Sequence, residues 1–518
     1  MTLKESPLTL IAIGLIIILK ACTQTSGVTA SEEPESQGTE PTEAVIRPTS
    51  DSDPSAGLTL KLMNGTGTLI NKWLYGYNTA NLFLNLSDEE KGVKLIKDIH
   101  PNILRFPGGT SANFYHFNGP GYGLKISDAE TVAGFNAYKN TKSSAQKELE
   151  DVERGKLSQN YAQDMVNLCR STGSALVLVT NHFTGSDEEN LAMVEFFSKS
   201  GTPIAGVELG NEYYLKTYSD KFPRVQDYIK AVKPIALKLK KRYPEIPLAV
   251  VAAPNDEMKS MNTKRAEETA AWNLTLAKED FYDGYVVHNY ARSKNCDQMA
   301  MLPQRADCYI THNLELVQST LPSGIEAYDE IFSPRKMWLT EWNVKEVFEG
   351  LGNTMLQAFY MAEHLMMLTD QDEVHLATYH NLLASGGGFN IIATNGKGDF
   401  YGNAAYHSAK LLNPLFNGDV SHLALNTIQK GDNRLLTTKA FQSSSERFLV
   451  VINQSPVQEI ISLKEDKIEN LKAEMSGFSA ESPLYDYGQI NVFNGSCSDL
   501  SHIVIPAFSI NLIRLPQQ

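Results

Sequence analysis

Positive charge is scarce in this sequence: 46 Lys and Arg stand against 60 Asp and Glu, a formal net charge of -14 over 518 residues. A nucleic-acid binder needs a basic stripe, so the balance argues against nucleic acid as a partner. It suits neutral carbohydrate or small-molecule ligands and is mildly unfavourable for polyanions. Cysteine is scarcer still, at 5 residues. No His/Cys cluster has zinc spacing and no EF-hand loop is present, so no metal is expected. Residues 385–390 are rich in glycine but lack the Lys-Ser/Thr pair and the strand–helix setting of a phosphate loop. No motif marks a catalytic Ser or Cys nucleophile, no cofactor is called for, and there is no internal repeat. The apolar run at residues 8–19 is shorter than the roughly 20 residues of a membrane span and fits the apolar region of a signal segment.

That segment closes with Leu19-Lys20-Ala21-Cys22. Leu, Ala and Cys stand as in the lipobox of bacterial lipoproteins, and Lys20 departs from the small uncharged residue usual at its place. The resemblance implies cleavage of residues 1–22 before a lipidated Cys22. The chain would then be a membrane-anchored lipoprotein at a periplasmic, outer-membrane or cell-surface face, with the lipid bilayer as a partner. An uncleaved anchor and a simple secretory signal are the alternatives. Residues 23–56 are dominated by Ser, Thr, Glu, Pro and Gly, too polar to offset the entropy of ordering, and read as a disordered tether. In an oxidising compartment Cys296 and Cys308, close in sequence and flanking a loop, are candidates for a disulfide. Cys169 on a helical face and Cys497 in a late turn are expected to be free or buried.

From residue 57 short apolar runs alternate with amphipathic helical stretches, the texture of βα units around a parallel sheet. Strand runs are expected at 73–78, 102–109, 175–182, 206–214, 247–255, 285–290, 336–343 and 375–381, with a loop over 291–314. Nearly all are continuously apolar, as buried parallel strands are. Eight such units predict a (β/α)8 TIM barrel over 57–416. The remaining residues, 417–518, carry alternating runs without long helices and predict a C-terminal antiparallel β-sandwich domain, to which 57–70 contribute strands.

Chemistry is expected at the strand ends. Gly206-Val207-Glu208-Leu209-Gly210-Asn211-Glu212-Tyr213-Tyr214 delivers Asn211 and Glu212 to the tip of the fourth strand, and Lys336-Met337-Trp338-Leu339-Thr340-Glu341-Trp342-Asn343 delivers Glu341 to the tip of the seventh. Two glutamates facing each other across a barrel mouth are what a retaining glycosidase needs, with carboxyl groups about 5–5.5 Å apart. Asn211 is placed to donate to a sugar 2-hydroxyl, and Trp342 to stack on a sugar face. Arg105 and Tyr290 are candidate donors that keep the Glu341 carboxylate ionised. His288, Asn78, Asn181 and His182 complete the candidate substrate-binding set; for His288, Asn181 and His182 an ordinary structural hydrogen bond is an equal alternative.

These motifs resemble those of clan A glycoside hydrolases. Asn211-Glu212 stand where that clan carries its acid/base after strand four, and Glu341 where it carries its nucleophile after strand seven. His288-Asn289-Tyr290 match the His-x-Tyr of strand six. Arg105-Phe106-Pro107-Gly108-Gly109 is similar to the Arg-Trp-Pro-Gly-Gly of α-L-arabinofuranosidases and to the strand-two motif of the β-glucuronidase and heparanase group. The departures are Tyr213-Tyr214, Asn78 where arabinofuranosidases tend to have a carboxylate, and the residues after Gly109. The resemblance implies a hydrolase that cleaves the glycosidic bonds of poly- or oligosaccharides by double displacement. A surface glycan-binding lipoprotein without turnover, and a transglycosidase on the same site, are the competing expectations.

Overall fold

The computed structural model describes residues 57–517 apart from 64, 66, 80–85, 118–122, 124–160, 255–265, 345–351, 385–389, 395–398, 429–434 and 465–471. The signal segment, Cys22 and the tether lie outside the described residues, as does most of the glycine-rich stretch. Strand β1 (Leu58–Leu62) precedes a closed, all-parallel barrel. Its staves are β2 (Gly76–Asn78), β3 (Ile103–Phe106), β4 (Ala175–Val179), β5 (Ile204–Glu208), β6 (Leu248–Val251), β7 (Gly284–Ala291), β8 (Lys336–Val344) and β9 (Val374–Tyr379). Closure is between β2 and β9, where Gly76 pairs with Thr378.

The expected strands are present; β2, β3, β4 and β6 are shortened, β5 and β9 begin one or two residues earlier and end sooner, and β7 and β8 run slightly longer. β2 starts at Gly76 because Lys72–Leu74 forms a 3-10 turn, with Asn71 accepting from the Trp73 amide. The largest departure is the segment 291–314, expected as a loop and found to be mostly helical. Lys294–Asp297 and Leu302–Glu315 are helices, and the second continues through a π turn, Leu316–Thr320, into Leu321–Phe332. Its buried residues Ala306, Tyr309, Ile310, Asn313 and Leu314 fall three and four apart, the spacing of one helix face. Pro303 sits in the first turn, where its missing N–H costs no hydrogen bond. A disulfide joins Cys296 to Cys308, with Cα atoms 5.5 Å apart, so the two helices are tied together beyond the end of β7.

The barrel interior is filled in layers. Ile103, Ala175, Val177, Ala249, Val286, Trp338 and Leu376 form a closed apolar cluster, one or two residues from each contributing strand. Trp338 fits there because residues 206 and 284 have no side chain: a Cβ on Gly206 would lie 2.1 Å from its ring, and one on Gly284 2.4 Å. This layer is the floor of the site. Two residues further along the same strands, side chains point the same way but toward the C-terminal mouth.

The C-terminal strands form two sheets. One has six strands, running Ser421–Leu423, Leu436–Gln442, Glu446–Asn453, Ser509–Pro516, Ala473–Ser479 and Asn491–Cys497 across its width. The other has four, Leu425–Ile428, β1, Glu459–Lys464 and Ile503–Ile505. β1 therefore joins the chain's beginning to its end, and it pairs parallel to Glu459–Lys464, so this sheet is mixed rather than purely antiparallel. Cys497 ends a strand instead of lying in a turn, and it is free; Cys169 is free and buried. Leu449, Val451 and Ile513 on one face of the six-stranded sheet pack with Leu58, Leu60 and Ile461 of the other sheet. Phe448, Val450 and Leu512 on its opposite face join the barrel's core. Both faces being covered, the sheet bonds the two modules together. Among the described residues no helix is long and apolar enough to cross a membrane.

Candidate active site

Glu341 faces the barrel axis because β8 is bulged. Val287 pairs with Leu339, but the next residue of β7, His288, pairs with Glu341, so Thr340 is an extra residue on β8. Side chains alternate along a strand, so with Trp338 inside the barrel, regular geometry would put Glu341 outside and Trp342 inside. The bulge reverses that parity and aims Glu341 inward, the use to which bulges near sites are commonly put. Trp342 is turned outward by the same step. It is buried, stacks on His364 with ring centroids 4.1 Å apart, and meets the edge of Tyr379 at 4.9 Å. The expected sugar platform is therefore a core residue between β8 and the helix Met355–Leu368.

Glu212 arrives by a turn. After β5 the chain passes Gly210 with φ of 105° and Glu212 with φ of 52°, both in the left-handed region. Glycine adopts that region freely; a Cβ at 210 would in addition lie 2.1 Å from the Tyr213 ring. A glutamate held there is uncommon and needs its neighbours to hold it. Asn113 donates from Nδ2 to the Asn211 carbonyl at 2.9 Å. Tyr213 is fully buried among Phe222, Tyr218 and Tyr228, and its hydroxyl accepts from the His182 amide at 3.0 Å. The Tyr213-Tyr214 departure thus has a structural half and a site half: Tyr213 anchors the turn, while the Tyr214 hydroxyl donates to Glu212 Oε1 at 3.3 Å.

The two carboxylates meet at His288. Glu212, His288 and Glu341 each bring one donor atom within 4.8 Å of the others. His288 Nδ1 is 3.0 Å from Glu212 Oε1 and 3.6 Å from Glu341 Oε2, and its Nε2 is 3.2 Å from Thr340 Oγ1. Burial alone would lower the His288 pKa, but the charge of Glu341 and the hydrogen bond and charge of Glu212 raise it above the ordinary imidazole value. Such a trio could in principle ligate a metal, but a cation is already built in. Arg105 Nη1 donates to Glu341 Oε1 at 2.7 Å, Asn78 Nδ2 donates to the same oxygen at 3.4 Å, and the Tyr290 hydroxyl donates to Oε2 at 2.6 Å. Burial pushes the Glu341 pKa up. The charges of His288, His380 and Arg105 and the Tyr290 hydrogen bond outweigh it and hold the group well below the usual carboxylate range. His380 is itself kept toward neutrality by burial, whereas His288 is shifted toward its charged form and Arg105 is a permanent cation.

Of the residues expected at the site, Glu212, Glu341, Asn211, Arg105, Tyr290, His288 and Asn78 are brought together. Asn78 reaches Glu341 beneath Gly108, where a Cβ would lie 2.1 Å from its Oδ1. Asn181 and His182 are not part of the cluster. The Asn181 side chain accepts from the amides of Phe183 and Thr184 and donates to the Tyr115 carbonyl, which ties up its own loop. His182 Nε2 is 2.8 Å from Thr180 Oγ1, and burial, then Lys221, pushes its pKa down to about 3, so it is a neutral structural group. Contributors outside the expected set are Tyr214 and Glu208, together with Thr340, which meets His288, and His380, whose Nδ1 is 3.9 Å from Glu341 Oε2. Glu208 is fully buried on β5 and grips Arg105. The signal for it is a carboxylate inside an apolar strand run: a buried strand carries a charge only where a counter-ion meets it.

No protein-family model matches the chain, and no curated protein matches it by sequence. Its fold does match solved structures over nearly its whole length. A GH51 arabinofuranosidase from Xanthomonas axonopodis pv. citri superposes with a TM-score of 0.65 at 14% identity, covering 89% of this chain and 100% of that one. An α-L-arabinofuranosidase from Thermotoga maritima gives 0.59 at 17% identity, with coverage of 89% and 100%. A xyloglucanase of glycoside hydrolase family 44 from Paenibacillus polymyxa gives 0.57 at 13%, with the same coverage. The motif resemblance to arabinofuranosidases therefore extends to the whole fold, barrel and C-terminal sheets together.

Proposed function

We propose that this chain is a retaining glycoside hydrolase in which Glu341 is the nucleophile and Glu212 the acid/base. The observation that carries the reading is the approach of the two carboxylates, with donor oxygens within 4.8 Å. An approach this close favours the roughly 5–5.5 Å between carboxyl groups of double displacement over the roughly 6.5–9.5 Å of the inverting arrangement. The environments differ as the two roles require. Glu341, at 6% side-chain exposure, is ringed by donors and kept ionised; Glu212, at 20%, stands nearer the mouth, where a leaving group departs.

In the first step the Glu341 carboxylate attacks the anomeric carbon, the glycosidic C–O bond breaks, and Glu212 gives its proton to the departing oxygen. In the second, Glu212 takes a proton from water, the hydroxyl attacks the anomeric carbon, and the glycosyl ester to Glu341 breaks. Asn211 supports the oxocarbenium-like transition state. Its Oδ1 is held by Arg105 Nη2 at 2.9 Å, while its buried Nδ2 has no partner and remains available to a sugar hydroxyl. The Arg105–Gly109 motif and the arabinofuranosidase fold make α-L-arabinofuranosides the first substrates to try.

A panel of nitrophenyl glycosides tests the reading, with Glu212→Gln and Glu341→Gln as controls. Release of nitrophenol by the wild type from at least one sugar, lost in the variants, is the expected result; identical behaviour of all three on every substrate overturns it. On the responsive sugar, Trp342→Phe is expected to lower the thermal unfolding temperature while leaving KM within about twofold, since it removes packing on His364 and no ligand contact. A KM rise of tenfold or more would return Trp342 to the sugar-binding surface.

A further inference from the structure

Arginine meets a carboxylate best through two parallel N–H···O bonds. At this site the two-pronged grip falls on a carboxylate that takes no part in the displacement. Arg105 Nε is 3.0 and 3.1 Å from the two oxygens of Glu208, and Nη2 is 2.7 Å from Oε2. Nη2 also reaches Asn211, and only Nη1 is left for Glu341. Arg105 and Glu208 are both fully buried. Leaving three charged groups desolvated is costly, and a salt bridge made only to satisfy Arg105 would not need a second glutamate, since Glu341 alone could take the fork.

We infer that Glu208 is a positioning residue for the displacement: by occupying the Nε–Nη2 edge of Arg105 it limits Glu341 to a single guanidinium hydrogen bond. This rests on the proposed role of Glu341 as nucleophile. A carboxylate clamped at both oxygens by a fork is stabilised in its resting state and is the weaker nucleophile for it. Held by Arg105 Nη1 and the longer Asn78 contact on Oε1 and by the Tyr290 hydroxyl on Oε2, Glu341 stays ionised without its two oxygens being clamped by one guanidinium. The grip also fixes the guanidinium plane that orients Asn211, so one buried pair sets both the nucleophile and the sugar-hydroxyl donor. Glu208 touches no substrate; it acts through Arg105.

The test uses the full chain and a 2-deoxy-2-fluoro glycoside of the sugar identified by the aryl panel, carrying a dinitrophenyl leaving group. This probe needs no proton from Glu212, so its first-order inactivation constant reads attack by Glu341, and labelled protein counts competent sites. Glu208→Gln, which keeps the shape and removes the charge, is expected to lower that constant at least tenfold. Stoichiometric labelling and the probe's binding constant should be retained. Glu208→Asp, which keeps the charge with a shorter reach, should recover part of the loss, and it serves as the reading if the Gln variant does not fold. An inactivation constant within twofold of wild type in a folded variant overturns the inference, as does a loss explained wholly by fewer labelled sites. If the wild type itself is labelled nowhere, or at a residue other than Glu341, it is the glycosidase reading that fails.

Discussion

Glu341→Gln is expected to abolish turnover on every leaving group, by on the order of 10⁴-fold or more, the scale of losing a nucleophile. Glu212→Gln should behave differently. With a nitrophenolate leaving group, which departs without help, the first step survives and the glycosyl-enzyme accumulates; with a poor alcohol leaving group the loss should reach about 10²–10⁴-fold, the range of general-acid catalysis. The distinction follows from position. Glu341 is buried among Arg105, Tyr290 and Asn78, all of which donate to it. Glu212 is partly exposed and meets Tyr214 and His288 at the mouth. Rates on aryl glycosides of graded phenol acidity check the assignment. If Glu212→Gln showed no dependence on leaving-group acidity while Glu341→Gln did, the two roles would have to be exchanged.

The second large effect is on folding. Arg105→Met should destabilise the chain by about 3–5 kcal/mol, the usual cost of stranding a buried charge. Two carboxylates, Glu208 and Glu341, lose the cation between them. The sign of the pH dependence is fixed by Glu341, whose folded pKa is depressed. In the wild type its contribution is present above the unfolded carboxylate value of about 4.3 and fades as pH falls through the lower folded value. Without Arg105 the guanidinium's share of that contribution is lost while those of His288 and Tyr290 remain, so the gap in stability between wild type and variant should be widest at neutral pH and narrow below about pH 4. Urea unfolding at several pH values measures it. A gap that stays constant from pH 7 to pH 3 would show that the cation is not what stabilises these carboxylates.

The modules and the carboxylate pair were legible in the sequence because each rests on a local signal. Continuous apolar runs spaced by helical periodicity announce buried parallel strands, and a polar residue ending such a run is where a barrel presents its mouth. Asn211-Glu212 and Glu341 carry that signal, as do Arg105 and Tyr290. The segment 291–314 did not, since the apolar spacing of Leu302–Glu315 is diluted by Asn, His, Gln and Arg, and the disulfide fell inside it. Asn181 and His182 carried the same strand-end signal as the residues that cluster around Glu341, and only their hydrogen bonds separate them.

What the chain determines by itself is the list of chemical groups and the strands that deliver them. Which way each group faces is decided by tertiary structure. One extra residue on β8, visible in its pairing with both β7 and β9, sends Glu341 inward and Trp342 outward. Glu208 gains its place only when β3 and β5 bring Arg105 beside it. Both outcomes depend on register between strands far apart in sequence, and side-chain parity along a single strand carries no information about its neighbour's register.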